Sequence, residues 1–419
     1  MALNTVLHII IFIGVFLAIF WLLTLVNVKG RKKLLSKYPS VSIIIPAYNE
    51  GEAVSKTIKS CKALKYPGEL KIILINDASV DNTLEVIKRH KGIKIIDNKK
   101  NKGKASALNI ALSRINTEYF AVMDADSTVN KNALKNAMHY FINNDNQEVA
   151  SVMTKLKPEN DSSSLLERIQ LVEYMFTGLV RYLSASLRLL HIAPGVLSVY
   201  KTKLVKDLGG FDKNNLTEDF ELAVRLRKEG YLINYSPESL GYTIVPNDFK
   251  IFLKQRLRWA RGFFRTIYKH KDILFNKSKG VFGFYEFPMN IISPVILFIA
   301  VFVLTLNILS SLYEFLFKLI FTPDVINWFE MNTFREMLLS FNSLISAPIL
   351  ISLLLVLTFI YFVFKFYDYK FFKEDKFKKT GAMIIYIFVY TYIYVYLFSK
   401  AFYMEIINKE YDWGTKNGK

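Results

Sequence analysis

The fold class this sequence predicts is α/β: a mostly parallel sheet covered by helices on both faces, joined to membrane-embedded helices. Three observations predict it. Between residues 41 and 153, short β-branched runs alternate with helical segments, the pattern of a sheet whose strands are buried on both sides. Residues 6–28 are almost wholly apolar and are followed at once by Lys29, Arg31, Lys32 and Lys33. Two further apolar stretches, 288–312 and 339–364, are long enough to cross a bilayer.

Residues 1–39 read as an anchor with its basic flank. No small-residue cleavage site is apparent, which favours an uncleaved anchor over a removed signal peptide. The basic flank places residue 29 onward in the cytoplasm and the N-terminus outside. The α/β domain follows over 40–245, with strands expected at 41–45, 70–75, 93–96, 119–123 and 149–153. Helical patterning covers 51–65, 81–91, 104–115, 130–143 and 218–229, and Asp81 is placed to cap its helix. In such sheets ligands bind beyond the carboxyl ends of the strands, here residues 46–50, 76–79 and 124–127.

Residues 246–286 are rich in Lys, Arg and Phe and read as amphipathic helices along the membrane surface. Residues 287–419 form the C-terminal membrane region, with 313–337 expected outside and 365–379 in the cytoplasm. A third apolar stretch, 382–404, is full of tyrosine. Because Lys400, Lys409, Lys416 and Lys419 favour a cytoplasmic tail, part of it is expected to be interfacial or re-entrant.

Composition narrows the function. Hydrophobic residues make up 52% of the 419 residues, aromatics 15%, and the formal net charge is +19. The basic runs sit beside apolar segments, so anionic lipid headgroups rather than nucleic acid are the expected partner. The single cysteine, Cys61, excludes an intrachain disulfide and a cysteine-rich metal cluster and reads as a small buried side chain. None of the five histidines falls in a ligand spacing such as His-x-x-x-His, so structural or surface roles are expected of them.

Asp124-Ala125-Asp126 ends an apolar strand, and two carboxylates so spaced can hold a divalent cation that also grips a diphosphate. Asp77 ends the second strand, where an acid accepts hydrogen bonds from a ribose or a nucleoside ring; a turn aspartate bonding its own backbone is the alternative. Asn101-Lys102-Gly103-Lys104 opens a helix, suited to an anion or a base edge. Lysine there opposes the helix dipole unless a ligand or an acid offsets it. Thr217-Glu218-Asp219 begins the helix at 218. A carboxylate there is ordinarily a cap; a catalytic base would need its pKa raised by burial or by neighbouring acids, Glu218 and Glu221 being the nearest. Gln255, Arg258 and Trp259 fall at i, i+3 and i+4, on one helix face. They offer a planar donor fork, an amide and a ring for stacking, although Arg and Trp are also common at headgroup level.

In order, the residues Pro46-Ala47-Tyr48-Asn49-Glu50, Asn76-Asp77-Ala78-Ser79, Asn101-Lys102-Gly103-Lys104, Asp124-Ala125-Asp126, Pro194-Gly195, Thr217-Glu218-Asp219 and Gln255-x-x-Arg258-Trp259 resemble processive members of inverting glycosyltransferase family 2. That family includes poly-N-acetylglucosamine, hyaluronan, chitin and cellulose synthases, and the overall pattern is most similar to the first. The resemblance implies a GT-A fold, a UDP-sugar donor and Mn2+ or Mg2+. It also implies roles. Tyr48, Glu50, Asp77 and Lys104 would line the uridine pocket; Asp124 would contact the donor and Asp126 the metal. Asp219, beside Glu218, matches the general base, and Gln255 and Arg258 would brace the diphosphate. Trp259, with Pro194 and Gly195, would meet the acceptor, a growing polysaccharide. Residues 413–416, Trp-Gly-Thr-Lys, look more like the tail of hyaluronan, chitin and nodulation synthases.

The resulting expectation is a multi-pass cell-membrane enzyme with a cytoplasmic catalytic domain. It polymerises N-acetylglucosamine and exports the product, and a small accessory membrane subunit is an expected partner. Two other readings are a non-processive transferase acting on a lipid-linked acceptor and a hyaluronan- or cellulose-type synthase using another donor. A membrane assembly subunit with a dead transferase domain is disfavoured by intact Asp124, Asp126 and Asp219.

Overall fold

The computed structural model describes residues 2–28, 34–141, 147–160, 164–321, 347–367 and 376–408. Helix α1 (Ala2–Asn27) precedes the α/β region. There β1 (Val41–Ala47), α2 (Ala53–Lys62), β2 (Leu70–Asp77), α3 (Thr83–Lys88), β3 (Lys94–Asn98), α4 (Lys104–Ser113) and β4 (Tyr119–Met123) alternate as the sequence predicts. They are followed by β5 (Ser127–Val129), α5 (Ala133–Met138), β6 (Val149–Pro158), α6 (Leu165–Ser186), β7 (Val196–Lys201), α7 (Thr202–Asp207), α8 (Glu218–Lys228) and β8 (Leu232–Thr243). Long helices complete the chain: α9 (Phe249–Lys269), α10 (Phe287–Phe321), α11 (Ala347–Tyr367), α12 (Lys376–Ile385) and α13 (Thr391–Ile406).

All five expected strands form. Asp81 was expected to cap its helix, but the N-cap of α3 is Asn82 and carries no side-chain cap bond; Asp81, one residue earlier, accepts from Thr83 N at 3.0 Å in a local turn. The eight strands make one sheet in the order β3-β2-β1-β4-β7-β6-β8-β5. It is mixed but mostly parallel, as expected: four of its seven strand pairings are parallel, and the antiparallel ones lie around β7 and β5. Strands β1, β2, β3 and β4 pair in parallel, as do β6 and β8, whereas β4–β7, β6–β7 and β5–β8 are antiparallel. Helices α5 and α6 still intervene after β4, but β7 enters the sheet between β4 and β6 and runs against both, so strand–helix alternation alone does not fix strand direction.

Strands β5, β7 and β8 were not expected. Strand β8 carries Pro237 and Gly241, and its register against β6 shifts between Thr154 and Lys155; both residues weaken a strand signal. The core is the aliphatic filling of β1, β2 and β4 with α2, including Ile43, Ile45, Val54, Ile58, Leu74 and Cys61, all fully buried. Burial pushes the Cys61 thiol up to about 12, so it is an inert packing side chain.

The chain divides into two compact units. One comprises Met1–Val28 and Met289–Glu374, and within it α1 packs on α11. The other comprises Lys29–Pro288 and Asp375–Lys419, and within it α12 packs on α6 and α13 on α9. The region 287–419, expected as one membrane part, is therefore split. The reason is ionic as well as apolar: Glu405 on α13 pairs with Arg261 and with Arg265 (2.9 Å) on α9. Helices Phe282–Ser310 and Gly381–Ile406 are long and apolar enough to cross a membrane, while Ile11–Asn27 and Leu354–Phe366 are shorter apolar helices. Residues 322–337, 368–375 and 413–416 lie outside the described residues.

Candidate active site

The parallel half of the sheet sets up one side of the site. In the order β3-β2-β1-β4 the chain turns from one side of β1 to the other, and a crevice forms at the carboxyl ends at such a switch point. At the end of β1, Asn49 adopts φ +54°. Its amide donates to Ser79 Oγ at 3.1 Å, and its side-chain oxygen accepts from Val80 N at 2.9 Å. The amides of Glu50 and Gly51 both donate to Thr83 Oγ1, at 2.9 and 2.8 Å. Tyr48 and Glu50 stand here, half-buried.

Asp77 closes β2 and is 3% exposed. Its carboxylate accepts from Asn98 Nδ2 (2.9 Å), Lys102 N (3.1 Å) and Gly103 N (2.8 Å). It thus holds the 98–103 loop and sits at the N-terminus of α4. The acid needed to offset the basic start of that helix is Asp77, assisted by Asp124 through Lys104.

Asp124 follows β4. Its amide donates to Gly195 O at 2.8 Å, and a Cβ on Gly195 would lie 2.6 Å from Asp124 Oδ1. Glycine therefore lets the Pro194-Gly195 turn approach this carboxylate without displacing it. Asp126, two residues on, is half-buried, with Ser127 Oγ donating to its Oδ1 at 3.3 Å.

The other side of the site is the N-terminus of α8. Lys104 Nζ spans the two, 2.7 Å from Asp124 Oδ1 and 3.0 Å from Glu218 Oε1. Burial opposes the Lys104 charge, but Asp124, Glu218 and Asp219 hold its pKa well above the ordinary lysine range. Asp219 behaves in the opposite sense. Burial first, then the neighbouring Glu218 carboxylate, push it up to about 6 against the pull of Lys104. Glu221, the second acid considered for this effect, does not act on it. Its fully buried carboxylate is held by His270 (3.0 Å), Arg225 (2.8 Å) and Lys269 (2.8 Å). Burial is outweighed there by those donors, which lower Glu221 to about 2.

Helix α9 carries Gln255, Arg258 and Trp259 near its middle and is fixed at both ends. Towards its C-terminus, Gly262 meets Thr217: a Cβ would come within 2.3 Å of Thr217 Oγ1. Asn215 Nδ2 donates to Thr266 Oγ1 at 2.9 Å, and Asn215 Oδ1 accepts from Thr217 N at 3.0 Å. Towards its N-terminus, Arg256 is 7% exposed and pairs with Glu173 on α6 at 2.6 Å. Tyr174, the next residue of α6, is raised by burial and lies within electrostatic reach of both Arg256 and Asp124. Helix α6 thus links the two sides.

The structure brings Lys104, Asp124, Glu218 and Asp219 together. No hydrogen bond or ion pair among the described residues joins Gln255, Arg258 or Trp259 to that group, and none engages the half-buried Arg258 guanidinium. The partners Glu173, Arg256 and Asn215 were not singled out from sequence; an Arg within an otherwise apolar-facing helix stripe was the one available signal. Four of the five histidines have the structural roles expected: His90, His139, His191 and His270 bond Ser55, Tyr38, Glu286 and Glu221.

Among the described residues no group of three or more His, Cys, Asp or Glu side chains is placed to hold a metal. Mg2+ or Mn2+ bound through one or two carboxylates plus a substrate's phosphates requires no such group, and Asp124 and Asp126 supply two carboxylates. The donor set fits.

Residues 42–209 match the Glycosyl transferase family 2 model. The poly-beta-1,6-N-acetyl-D-glucosamine synthase of Staphylococcus epidermidis is 31% identical over 268 residues, 60% of this chain and 64% of the relative. That of Staphylococcus aureus (strain COL) is 30% identical over 269 residues, again 60% and 64%. The match spans just under two thirds of these relatives' length. Among solved structures, a mannosyltransferase from Pyrobaculum calidifontis in complex with GDP-Man and Mn2+ is similar with a TM-score of 0.58. It is 20% identical, and the match covers 78% of this chain and 92% of that one. The fold is the GT-A-like mixed α/β arrangement of glycosyltransferases.

Proposed function

We propose that this chain, with its family 2 glycosyl transferase domain, is a membrane-bound inverting transferase that polymerises N-acetylglucosamine from a UDP-linked donor into a β-linked chain. One observation carries the reading. Lys104 bridges Asp124 and Glu218, which sets a diphosphate-type carboxylate site against a helix start whose Asp219 is raised to about 6. A group that titrates there is unprotonated at neutral pH yet basic enough to take a proton. The choice of sugar is supported by the relatives' name, poly-beta-1,6-N-acetyl-D-glucosamine synthase.

In this reading Tyr48, Glu50 and Lys104 line the uridine pocket and Asp77 holds the loop that walls it. Asp124 contacts the donor, and Asp126 with Asp124 holds Mn2+ or Mg2+, which when bound neutralises charge on the departing diphosphate. Asp219 accepts the proton of the acceptor hydroxyl as that oxygen attacks the anomeric carbon and the UDP–sugar bond breaks on the opposite face. An α-linked donor therefore yields a β-linked product. Gln255 and Arg258 brace the diphosphate; Trp259, with Pro194 and Gly195, carries the acceptor sugar.

Export of the product, a cytoplasmic catalytic domain and a multi-pass membrane location complete the proposal. The apolar helices Phe282–Ser310 and Gly381–Ile406 and the basic flank after residue 28 support them. The bilayer and a small accessory membrane subunit are the proposed partners. The test is transfer of labelled sugar by the purified full chain in lipid nanodiscs with UDP-N-acetylglucosamine and Mn2+. Long products digestible by a β-N-acetylglucosaminidase are expected. Products extended by one sugar would favour the lipid-acceptor reading, and transfer from a different UDP-sugar alone would overturn the donor assignment.

A further inference from the structure

Arg256 lies inside the Gln255–Trp259 segment yet belongs to neither the diphosphate site nor the acceptor face described above. Its guanidinium is buried and has every side engaged. Nη2 donates to Glu173 Oε2 on α6 at 2.6 Å, Nε to the Tyr390 hydroxyl at 3.2 Å, and Nη1 to Gln255 Oε1 at 3.1 Å. Its face lies 4.2 Å from the centre of the Trp259 ring and 5.1 Å from that of Phe252. Tyr390 comes from the π-helical segment Tyr386–Tyr390 that joins α12 to α13, and it packs with Ile169 of α6 and Phe252 of α9 in one apolar cluster.

Two consequences follow from chemistry. A guanidinium only donates, so Gln255 must turn its oxygen to Arg256 and present its amide N–H groups outward. Stacking against a rigid cation takes one face of the indole and fixes its plane, leaving the other as the binding face. We propose that Arg256 is a positioning residue for the acceptor platform, locked by Glu173 and by Tyr390 from the C-terminal helical arm, so that Trp259 offers one fixed face to the acceptor sugar while Gln255 keeps its amide N–H groups for the diphosphate. The platform therefore meets the acceptor as a single aromatic plane. This rests on the glycosyl transfer reading, and its test is built to separate the two.

The full chain in nanodiscs is assayed with UDP-N-acetylglucosamine and a soluble β-linked N-acetylglucosamine oligosaccharide. Tyr390→Phe, which leaves the Arg256–Gln255 bond in place, is expected to raise the acceptor KM about tenfold while the donor KM and the slow hydrolysis of donor by water change less than twofold. A merely structural role would move both KM values together, and that result, or an unchanged acceptor KM, would overturn the proposal. A second readout requires no turnover. Acrylamide quenching of Trp259, isolated by subtracting the Trp259→Phe chain, is expected to rise at least twofold in the charge-free double variant Glu173→Leu/Arg256→Met, which leaves no buried charge unpaired. Unchanged quenching would overturn the proposal. If the unsubstituted chain transfers no sugar, the functional reading fails, and the quenching experiment still decides whether Arg256 sets the indole.

Discussion

The two sides of the site are built differently. On the side proposed to hold the nucleotide the contacts are local: Asp77 reaches Asn98, Lys102 and Gly103, and Lys104 reaches Asp124, across 20 to 26 residues. These are side chains closing loops at the ends of adjacent strands, with backbone amides as half of the partners. On the α9 side the contacts are distant. Arg256 finds Glu173 and Tyr390 across 83 and 134 residues, and Arg261 and Arg265 find Glu405 across 144 and 140. The first side is a property of the sheet. The second exists only after α6, α8, α9 and α13 have packed, and its joints are buried ions and single glycines. The nucleotide side should therefore respond to substitution mainly in chemistry, the α9 side mainly in stability and acceptor binding.

The sharpest probe of that contrast is Asp219, where the two sides meet. Asp219→Asn is expected to lower transfer about a thousandfold, the contribution of a positioned base, with UDP affinity by calorimetry changed only a few-fold. Retained transfer would remove Asp219 from the base role. The pH profile carries the sign. Burial and Glu218 raise Asp219 to about 6, and only the unprotonated form accepts a proton. The rate should therefore fall as pH drops through about 6 and level off above it.

Gly195→Ala tests the nucleotide side alone. The new Cβ would stand 2.6 Å from Asp124 Oδ1, forcing the carboxylate aside. A displacement of that order costs about a hundredfold in rate, to be read in transfer assays, while the melting temperature should move little because the surrounding strands are untouched.

Glu221→Gln tests the α8–α9 joint. Losing the charge that His270, Arg225 and Lys269 share should cost about 2 kcal/mol of stability. The linkage is directional. A carboxylate lowered in the folded state from 4.5 to about 2 stabilises fully above its unfolded pKa, and that stabilisation is lost as pH falls through the folded value. The stability gap between wild type and variant in chemical denaturation should be constant above pH 4.5 and close towards about 2. The smallest effect is expected at Gly262→Ala, where the methyl would crowd Thr217 Oγ1 at 2.3 Å. Overpacking here should cost about 1 kcal/mol, with a larger change in acceptor KM than in donor KM.

Much of this was legible in the chain. The β-branched runs located β1, β2, β3, β4 and β6 because burial on both faces demands them, and the acids at strand ends lay where such folds place ligands. Strands β7 and β8 were hidden, the second by Pro237 and Gly241 within it. The division of 287–419 was hidden too, since apolar content alone does not tell a helix that spans from one that also packs on α9. Of the acids near α8, spacing proposed both Glu218 and Glu221 as neighbours acting on Asp219; packing kept only Glu218.

The sequence by itself therefore determined the strand–helix order through β4, the apolar segments and which residue types stand at those strand ends and helix starts, because these follow from local periodicity and short-range backbone bonding. Only the tertiary structure decided the partners of Arg256, the raised Asp219 beside the lowered Glu221, and the antiparallel pairings of β5 and β7. Those depend on burial and on which charges come within a few ångströms of one another, distances that no spacing along the chain specifies.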